Sequence, residues 1–291
     1  MVDKPSSLLS FLKEIGVKPL KFLSQNFLID KNIIKKIVGS ANIKEDDLIL
    51  EIGPGPGALT KEIASISSNI IAVEKDRTFA KYLSKNVGNI AIYEDDFLTF
   101  PLREVLIAKN KKAKVIANLP YHIASPIIAK LLKNHDLFSD MTIMVQYEMA
   151  KRIISLKDCK NYSAFTIFIN TYADVRLLFE ISPNCFFPKP KVKSAIIQLK
   201  ITSPPSDIDK DEFHLFVQKT FQQRRKKLTT ILKDIILKNS DKTNMVNQAS
   251  LEKILHELKI NIDARPENLS FDDFHLLYKR LIITSVLDFS Y

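Results

Sequence analysis

The 291-residue sequence has only two cysteines, Cys159 and Cys185, too few for a disulfide framework or a zinc cluster. Its five histidines are scattered without ligand spacing, so no metal site is expected. No stretch approaches the roughly 18 consecutive apolar residues of a membrane span. The opening "MVDKPSSLLSFLKEIG" lacks the sustained apolar core followed by small residues that marks a secretory signal. A cytoplasmic protein without membrane association is therefore expected. Internal repeats and low-complexity tracts are absent too.

What is present is ordinary for a folded protein: 46% apolar and 26% charged residues. The 43 basic residues exceed the 33 acidic ones, giving a formal charge of +10. Such an excess favours a polyanionic partner, although a solvated lysine surface gives the same number. Residues 205–291 hold 14 basic and 13 acidic side chains, leaving 29 and 20 for residues 1–204. A basic tail is therefore not the source.

"DLILEI" (47–52) reads as a short buried strand, followed by the turn "GPGPG" and a helix beginning near Ala58. "NIIAVEKD", "NIAIYEDD" and "KVIAN" continue the series, and strands alternating with helix-sized segments predict a parallel α/β sheet. Before the sheet, Asp30 can cap a helix whose apolar face is Ile33, Ile34, Ile37, Val38 and Ala41. After it come "MTIMVQY" as a strand, "AFTIFIN" as an apolar segment of either type, the stiff loop "SPNCFFPKPKVK", and "SAIIQLKI" (194–201) as a last strand. "TSPPSD" (202–207) reads as a linker. Beyond it Phe213, Phe216, Val217 and Phe221, then Leu228, Ile231, Leu232, Ile235 and Ile236, fall at helical spacing, with two further amphipathic segments near 249–259 and 270–282.

Gly53, Gly55 and Gly57 let the backbone approach a ligand closely and aim amides at it from a helix start. Glu74, 21 residues past Gly53 at the next strand end, is placed to hold both hydroxyls of a ribose. These features suit NAD and S-adenosylmethionine alike. At the third strand end Asp95 and Asp96 offer acceptors for the amine of a bound adenine, or are simply solvated acids.

The fourth strand ends on Asn118, Leu119, Pro120 and Tyr121, for which nicotinamide chemistry has no use. Methyl transfer does. If the Asn118 oxygen and the Leu119 carbonyl accept the two hydrogens of an adenine amine, its delocalised lone pair turns towards a methylsulphonium. Pro120 stiffens this corner and Tyr121 offers a stacking face. The base must be single-stranded or flipped to reach it.

With "LSQNFLID" (23–30), "LEIGPGPGALT" (50–60), "VEKD" (73–76), "YEDD" (93–96), "NLPYHI" (118–123), "FFPKPKVKSA" (186–195), "FQQRRKKL" (221–228) and "ARPENLS" (264–270) in this order, the sequence resembles the ribosomal RNA adenine N6-dimethyltransferases, most closely the bacterial type acting on small-subunit RNA. The resemblance covers nearly the whole chain. It implies a Rossmann-like class I methyltransferase domain with a mostly parallel sheet (31–203), a basic N-terminal arm (1–30) and a small all-α C-terminal RNA-binding domain (204–291). It implies S-adenosylmethionine as donor, and as partner the small-subunit RNA of a pre-30S particle, with two methyl groups placed on each of two adjacent adenines near the 3′ end. A monomer is expected.

Carried over position by position, the cofactor contacts are Asn26, Leu28, Gly53, Glu74, Asp96 and Asn118. The resemblance implies that Phe186 covers the face of the target adenine opposite Tyr121, although beside Phe187 it also reads as a core aromatic. Arg224, Arg225, Lys226, Lys227, Lys189 and Lys191 suit phosphate contacts. Ser24, His122 and Lys193 depart from the family's frequent Gly, Asn and Asp. Three alternatives remain at this point: a large-subunit dimethyltransferase giving macrolide resistance, a non-catalytic RNA-binding factor on the same fold, and a nicotinamide dehydrogenase.

Overall fold

The computed structural model describes residues 26–239 and 248–283, together with Leu8, Ser10, Leu12 and residues 14–16. Most of the expected N-terminal arm lies outside the described residues. Leu8 and Leu12 are buried in a cluster with Phe27, Ile29 and Phe79. Two compact units form: the described residues up to Ala150 with Ala173–Ile201, and Lys151–Tyr172 with the described residues from Thr202 onward.

In the first unit the strands are β1 (Phe27–Leu28), β2 (Leu48–Ile52), β3 (Ile70–Glu74), β4 (Ile90–Glu94), β5 (Ala113–Asn118), β6 (Phe138–Gln146), β7 (Ala173–Ile181), β8 (Phe186–Phe187) and β9 (Ser194–Ile201). Seven of them make one sheet in the order β4-β3-β2-β5-β6-β9-β7. It is parallel from β4 to β6, and β9 then runs antiparallel to both β6 and β7. β2 and β3 are buried along their whole length, as a parallel sheet covered on both faces requires. After β4 the chain crosses back to lay β5 on the other side of β2. The carboxyl ends of β2 and β5 thus border the crevice where open α/β sheets bind ligands.

The helix predicted after Asp30 spans Lys31–Ser40, and the Asp30 carboxylate accepts from Asn32 and Ile33 amides as its cap. Its apolar face packs with Leu59, Ile63 and Ile116. β7 was not expected. Its pairing slips between Leu177 and Phe179, which breaks the alternation, and Asp174, Arg176 and Glu180 charge this edge strand of the sheet.

The second unit contains the helices Ala164–Asn170, Lys210–Gln222, Leu228–Asn239, Gln248–Glu257 and Phe271–Ile283. Phe213, Phe216, Leu232, Leu255, Phe274 and Tyr278 fill its core. "AFTIFIN" is a helix, started by a capping box between Ser163 and Thr166. The expected boundary at 203 needs a correction, because 151–172 belongs with the C-terminal helices. Ile167 and Tyr162 are buried in their core, and the Tyr162 hydroxyl donates to Leu269 O at 2.9 Å. The helix Lys210–Gln222 ends within "QQRRKK", so that 223–227 form the turn to the next helix. Among the described residues no helix is long and apolar enough to cross a membrane.

Candidate active site

A cavity of about 390 Å³ opens at the carboxyl ends of β2 to β5. Its floor begins where β2 runs into Gly53. Gly53, Gly55 and Gly57 hold φ of +63°, +54° and +84°, left-handed values that favour glycine. A β-carbon on Gly57 would come 2.5 Å from Leu83. The turn is tied down from β3, whose terminal Glu74 accepts from the amides of Gly55 and Asp76, both at 2.8 Å. Each Glu74 oxygen keeps a lone pair for a ligand. Burial pushes this carboxyl above its ordinary value despite the two amides.

Below the turn lies Glu51, inside β2 and 1% exposed. Burial, with Glu74 adding to it, pushes its carboxyl up to about 8. Glu51 Oε2 and Thr60 Oγ1 are buried with no hydrogen-bond partner, and Glu51 lines the cavity. An unpaired carboxyl oxygen buried against a cavity suits a polar ligand. Neither residue was singled out from the sequence.

Asp95 and Asp96 follow β4 and line the opposite end, beside Phe97. Asp95 accepts from the Asp96 amide at 2.7 Å. Asp96 accepts from the Leu98 amide at 2.9 Å and from Lys75 Nζ at 2.8 Å. The Lys75 ammonium holds the Asp96 carboxyl below the usual range. Asp96 lines the cavity, with the exposed Lys75 as its partner.

At the end of β5 the Leu119 amide donates to Met144 O at 3.2 Å, which anchors the corner on β6. Asn118 Nδ2 donates to Asn26 O at 3.4 Å. One N–H of the carboxamide is thereby engaged, and Oδ1 lies on the other arm of the group as an acceptor. Pro120 (φ −60°, ψ 123°) leads into a single turn over Tyr121–Ile123, and the helix Ala124–Lys133 follows. The Tyr121 hydroxyl is 2.6 Å from Ser194 Oγ on β9. Burial pushes the phenol up, so it stays protonated, and the hydrogen bond fixes its ring. Ser194 is a functional neighbour the sequence reading missed; its only signal was its place in "FFPKPKVKSA".

Asn26, Leu28, Gly53, Glu74, Asp96, Asn118, Leu119, Pro120 and Tyr121 therefore come together around one cavity, with His122 at its rim. Phe186 does not join them. It pairs with Leu28 in the β1–β8 ribbon, is 3% exposed, and packs with Ile181 and Ile196. The core reading of this ring describes its place, because an aromatic next to the ribbon gains more from burial than from an open cavity.

The basic residues also divide. Arg224 is committed internally, pairing with Glu267 and donating to Lys160 O at 2.8 Å and Cys159 O at 3.2 Å. Its expected phosphate role is corrected to one of bracing 158–160 against the helices of its unit. Lys226 and Lys227 pair on the surface with Asp234 and Asp263. Arg225, Lys189 and Lys191 are exposed.

Sheet order, glycine turn and the Asn-Leu-Pro-Tyr corner define a Rossmann-like methyltransferase domain. A family model described as ribosomal RNA adenine dimethylase matches residues 18–282, and the chain belongs to that family. It is 42% identical over 286 residues to a ribosomal RNA small subunit methyltransferase A of Protochlamydia amoebophila, covering 96% of this chain and 97% of that protein. To the protein of the same name from Francisella tularensis it is 39% identical, with 88% and 95% covered. Among solved structures, a dimethyladenosine transferase from Plasmodium falciparum superposes with a TM-score of 0.76 at 27% identity, covering 89% of this chain and 98% of that one. The 23S rRNA methyltransferase ErmE, at 23% identity and a TM-score of 0.64, shares the fold. The nicotinamide alternative is thereby set aside.

Two predictions follow from the burial pattern. Phe186→Ala should cost about 3–5 kcal/mol of folding stability, as for other buried aromatics, read by urea unfolding; a loss below about 1 kcal/mol would place the ring outside the core. Glu51 keeps its proton in the folded protein up to about pH 8, against an ordinary value of 4.5. Its stabilising contribution is therefore complete below that ordinary value and is lost as pH rises through the folded one. Glu51→Gln should flatten the decline in unfolding free energy between about pH 5 and about pH 8; equal slopes in both proteins would contradict the assignment.

Proposed function

We propose that the protein transfers methyl groups from S-adenosylmethionine to the N6 nitrogens of two adjacent adenines near the 3′ end of small-subunit ribosomal RNA, in the cytoplasm and as a single chain, during assembly of that subunit. The observation that carries this reading is the corner at Asn118, whose amide donor is turned onto Asn26 O while the residue faces the cavity. Supporting the small-subunit target over the large-subunit one are the relatives at 42% and 39% identity whose names specify the small subunit.

The residues present fit the cofactor. Glu74 would hold the ribose, Gly53 and Gly55 would admit its close approach, and Asp96 with Phe97 would take the adenine. Asn26 and Leu28 would close the wall from β1. When bound, S-adenosylmethionine supplies an electrophilic methyl group on a sulphonium.

The chain's own contribution is orientation. Asn118 Oδ1 and the Leu119 carbonyl accept the two hydrogens of the target amine, which pulls the nitrogen from planarity and frees its lone pair. Tyr121, held by Ser194, keeps the base plane in register. The buried Leu119 side chain and the Met144 anchor stop the corner from relaxing. No strong base is needed, since the alkylated nitrogen releases its proton readily through its acceptors.

Arg225, Lys189 and Lys191 would meet backbone phosphates, and Lys226 and Lys227 would exchange their exposed carboxylate partners for phosphate at little cost. An RNA-binding factor without catalysis is disfavoured by the intact Asn118, Tyr121, Glu74 and Asp96 around one cavity.

Immature small subunits from a strain lacking the modification should gain dimethyladenine at two adjacent positions, detected by mass spectrometry. Modification of large subunits alone, or protection against a macrolide on expression, would favour the large-subunit target instead. Asn118→Ala should lower turnover by about 10²–10³-fold, the scale for removing one preorganised contact at a reacting centre, while RNA binding changes little. An equal loss in both measurements would move Asn118 from chemistry to docking.

A further inference from the structure

Lys130 sits on the helix Ala124–Lys133, which starts directly after the Asn-Leu-Pro-Tyr corner. Its ammonium donates to three main-chain oxygens: Phe97 O at 2.8 Å, Leu98 O at 3.0 Å and Phe100 O at 2.6 Å. It also lies 5.3 Å from the centre of the Phe97 ring. A lysine has three N–H donors, and all three are placed.

The same loop turns its amides onto acids. Asp96 N donates to Asp95 Oδ1 and Leu98 N to Asp96 Oδ1, while Thr99 N and Phe100 N donate to Asp96 O at 3.0 and 2.9 Å. The segment 95–100 belongs to neither sheet nor helix. Its backbone polar groups are satisfied by two carboxylates, the turn carbonyl and one cation, so its shape depends on them. Asp95, Asp96 and Phe97 of this loop line the cavity, and so does Ile127 from the lysine's own helix.

We infer that Lys130 is a positioning residue, which clamps the loop carrying Asp96 and Phe97 to the helix that the methyl-accepting corner launches, and so sets the adenine end of the cofactor site. The inference rests on the cofactor reading proposed above. Removing the ammonium leaves Phe97 O and Leu98 O without this donor, while Phe100 O keeps the Leu102 amide at 2.8 Å, and the loop loses the shape that presents Asp96. The Asn118 corner is anchored separately by Met144 O. Cofactor affinity therefore falls while the chemical step is spared. Arginine does not substitute, because a planar guanidinium cannot send three donors to three converging oxygens. Alanine leaves a gap lined by carbonyls, into which a small primary ammonium ion fits.

The test is calorimetric binding of S-adenosylhomocysteine to the full chain, alongside turnover at saturating cofactor. Lys130→Ala should weaken binding by about tenfold or more, the order expected for orphaned carbonyls, with kcat within about threefold of wild type. Added n-propylammonium should restore at least half of the lost affinity in logarithmic terms, whereas tetramethylammonium, which has no N–H, should restore none. Lys130→Arg should also bind more weakly than wild type. If the alanine variant does not fold, Lys130→Gln is measured instead and should be weaker too. Unchanged affinity in a folded variant, or a fall in kcat with affinity preserved, overturns the inference while leaving the cofactor reading intact. Failure of the wild-type protein to bind S-adenosylhomocysteine overturns both.

Discussion

The hydrogen bond from the Gly55 amide to the Glu74 carboxylate joins the end of β2 to the end of β3. The rest of the site depends on it. A left-handed glycine turn has few internal bonds of its own, so a buried acid on the neighbouring strand holds it open. That acid is in place because β2 and β3 are parallel and in register, Ile52 facing Val73. The same carboxylate fixes the Asp76 amide, and Asp76 in turn caps the helix Arg77–Asn86. One side chain thus sets the turn, one wall of the cavity and the start of a helix.

The cost of this design lies in the acids it buries. Glu51 and Glu74 stand near one another in apolar surroundings, and burial raises both carboxyls. Native sheets rarely keep an unpaired acid inside a central strand for stability. An acid at Glu51 that faces the cavity, beside the orphaned Thr60 hydroxyl, makes sense as part of a ligand site for which stability was given up. The wall formed by β5 contrasts with it. There the polar groups are matched in pairs: Asn118 with Asn26, Leu119 with Met144, Tyr121 with Ser194. The corner proposed to hold the target base is tied down on every side, whereas the wall at Glu51 and Glu74 keeps open valences.

The parallel strands could be read from the sequence because each is a short apolar run ending in punctuation, and the punctuation lines the cavity: glycine after β2, acids after β3 and β4, Asn-Leu-Pro-Tyr after β5. Most of the site was legible for that reason. What was not legible depends on partners remote in sequence. The resemblance put Phe186 against the target base although its neighbour Phe187 already suggested a core ring, and its pairing with Leu28 leaves it buried. Arg224 looked like a phosphate ligand because its partner Glu267 is 43 residues away. Ser194 carries only its place in a motif as a signal and Lys130 none, since one is defined by Tyr121 and the other by three carbonyls of another loop. The excursion 151–172 was assigned to the wrong unit because only packing shows which core takes Tyr162 and Ile167.

The central claim is that the β5 corner grips the amine of a target adenine through acceptors that the fold has already oriented. A crystal structure of the protein with S-adenosylhomocysteine and adenosine monophosphate tests it most directly. The account predicts the adenine N6 nitrogen within hydrogen-bonding distance of both Asn118 Oδ1 and the Leu119 carbonyl, with the Tyr121 ring along the base. A base bound with its amine directed away from Asn118, or an Asn118 carboxamide turned so that its nitrogen faces the base, would contradict it.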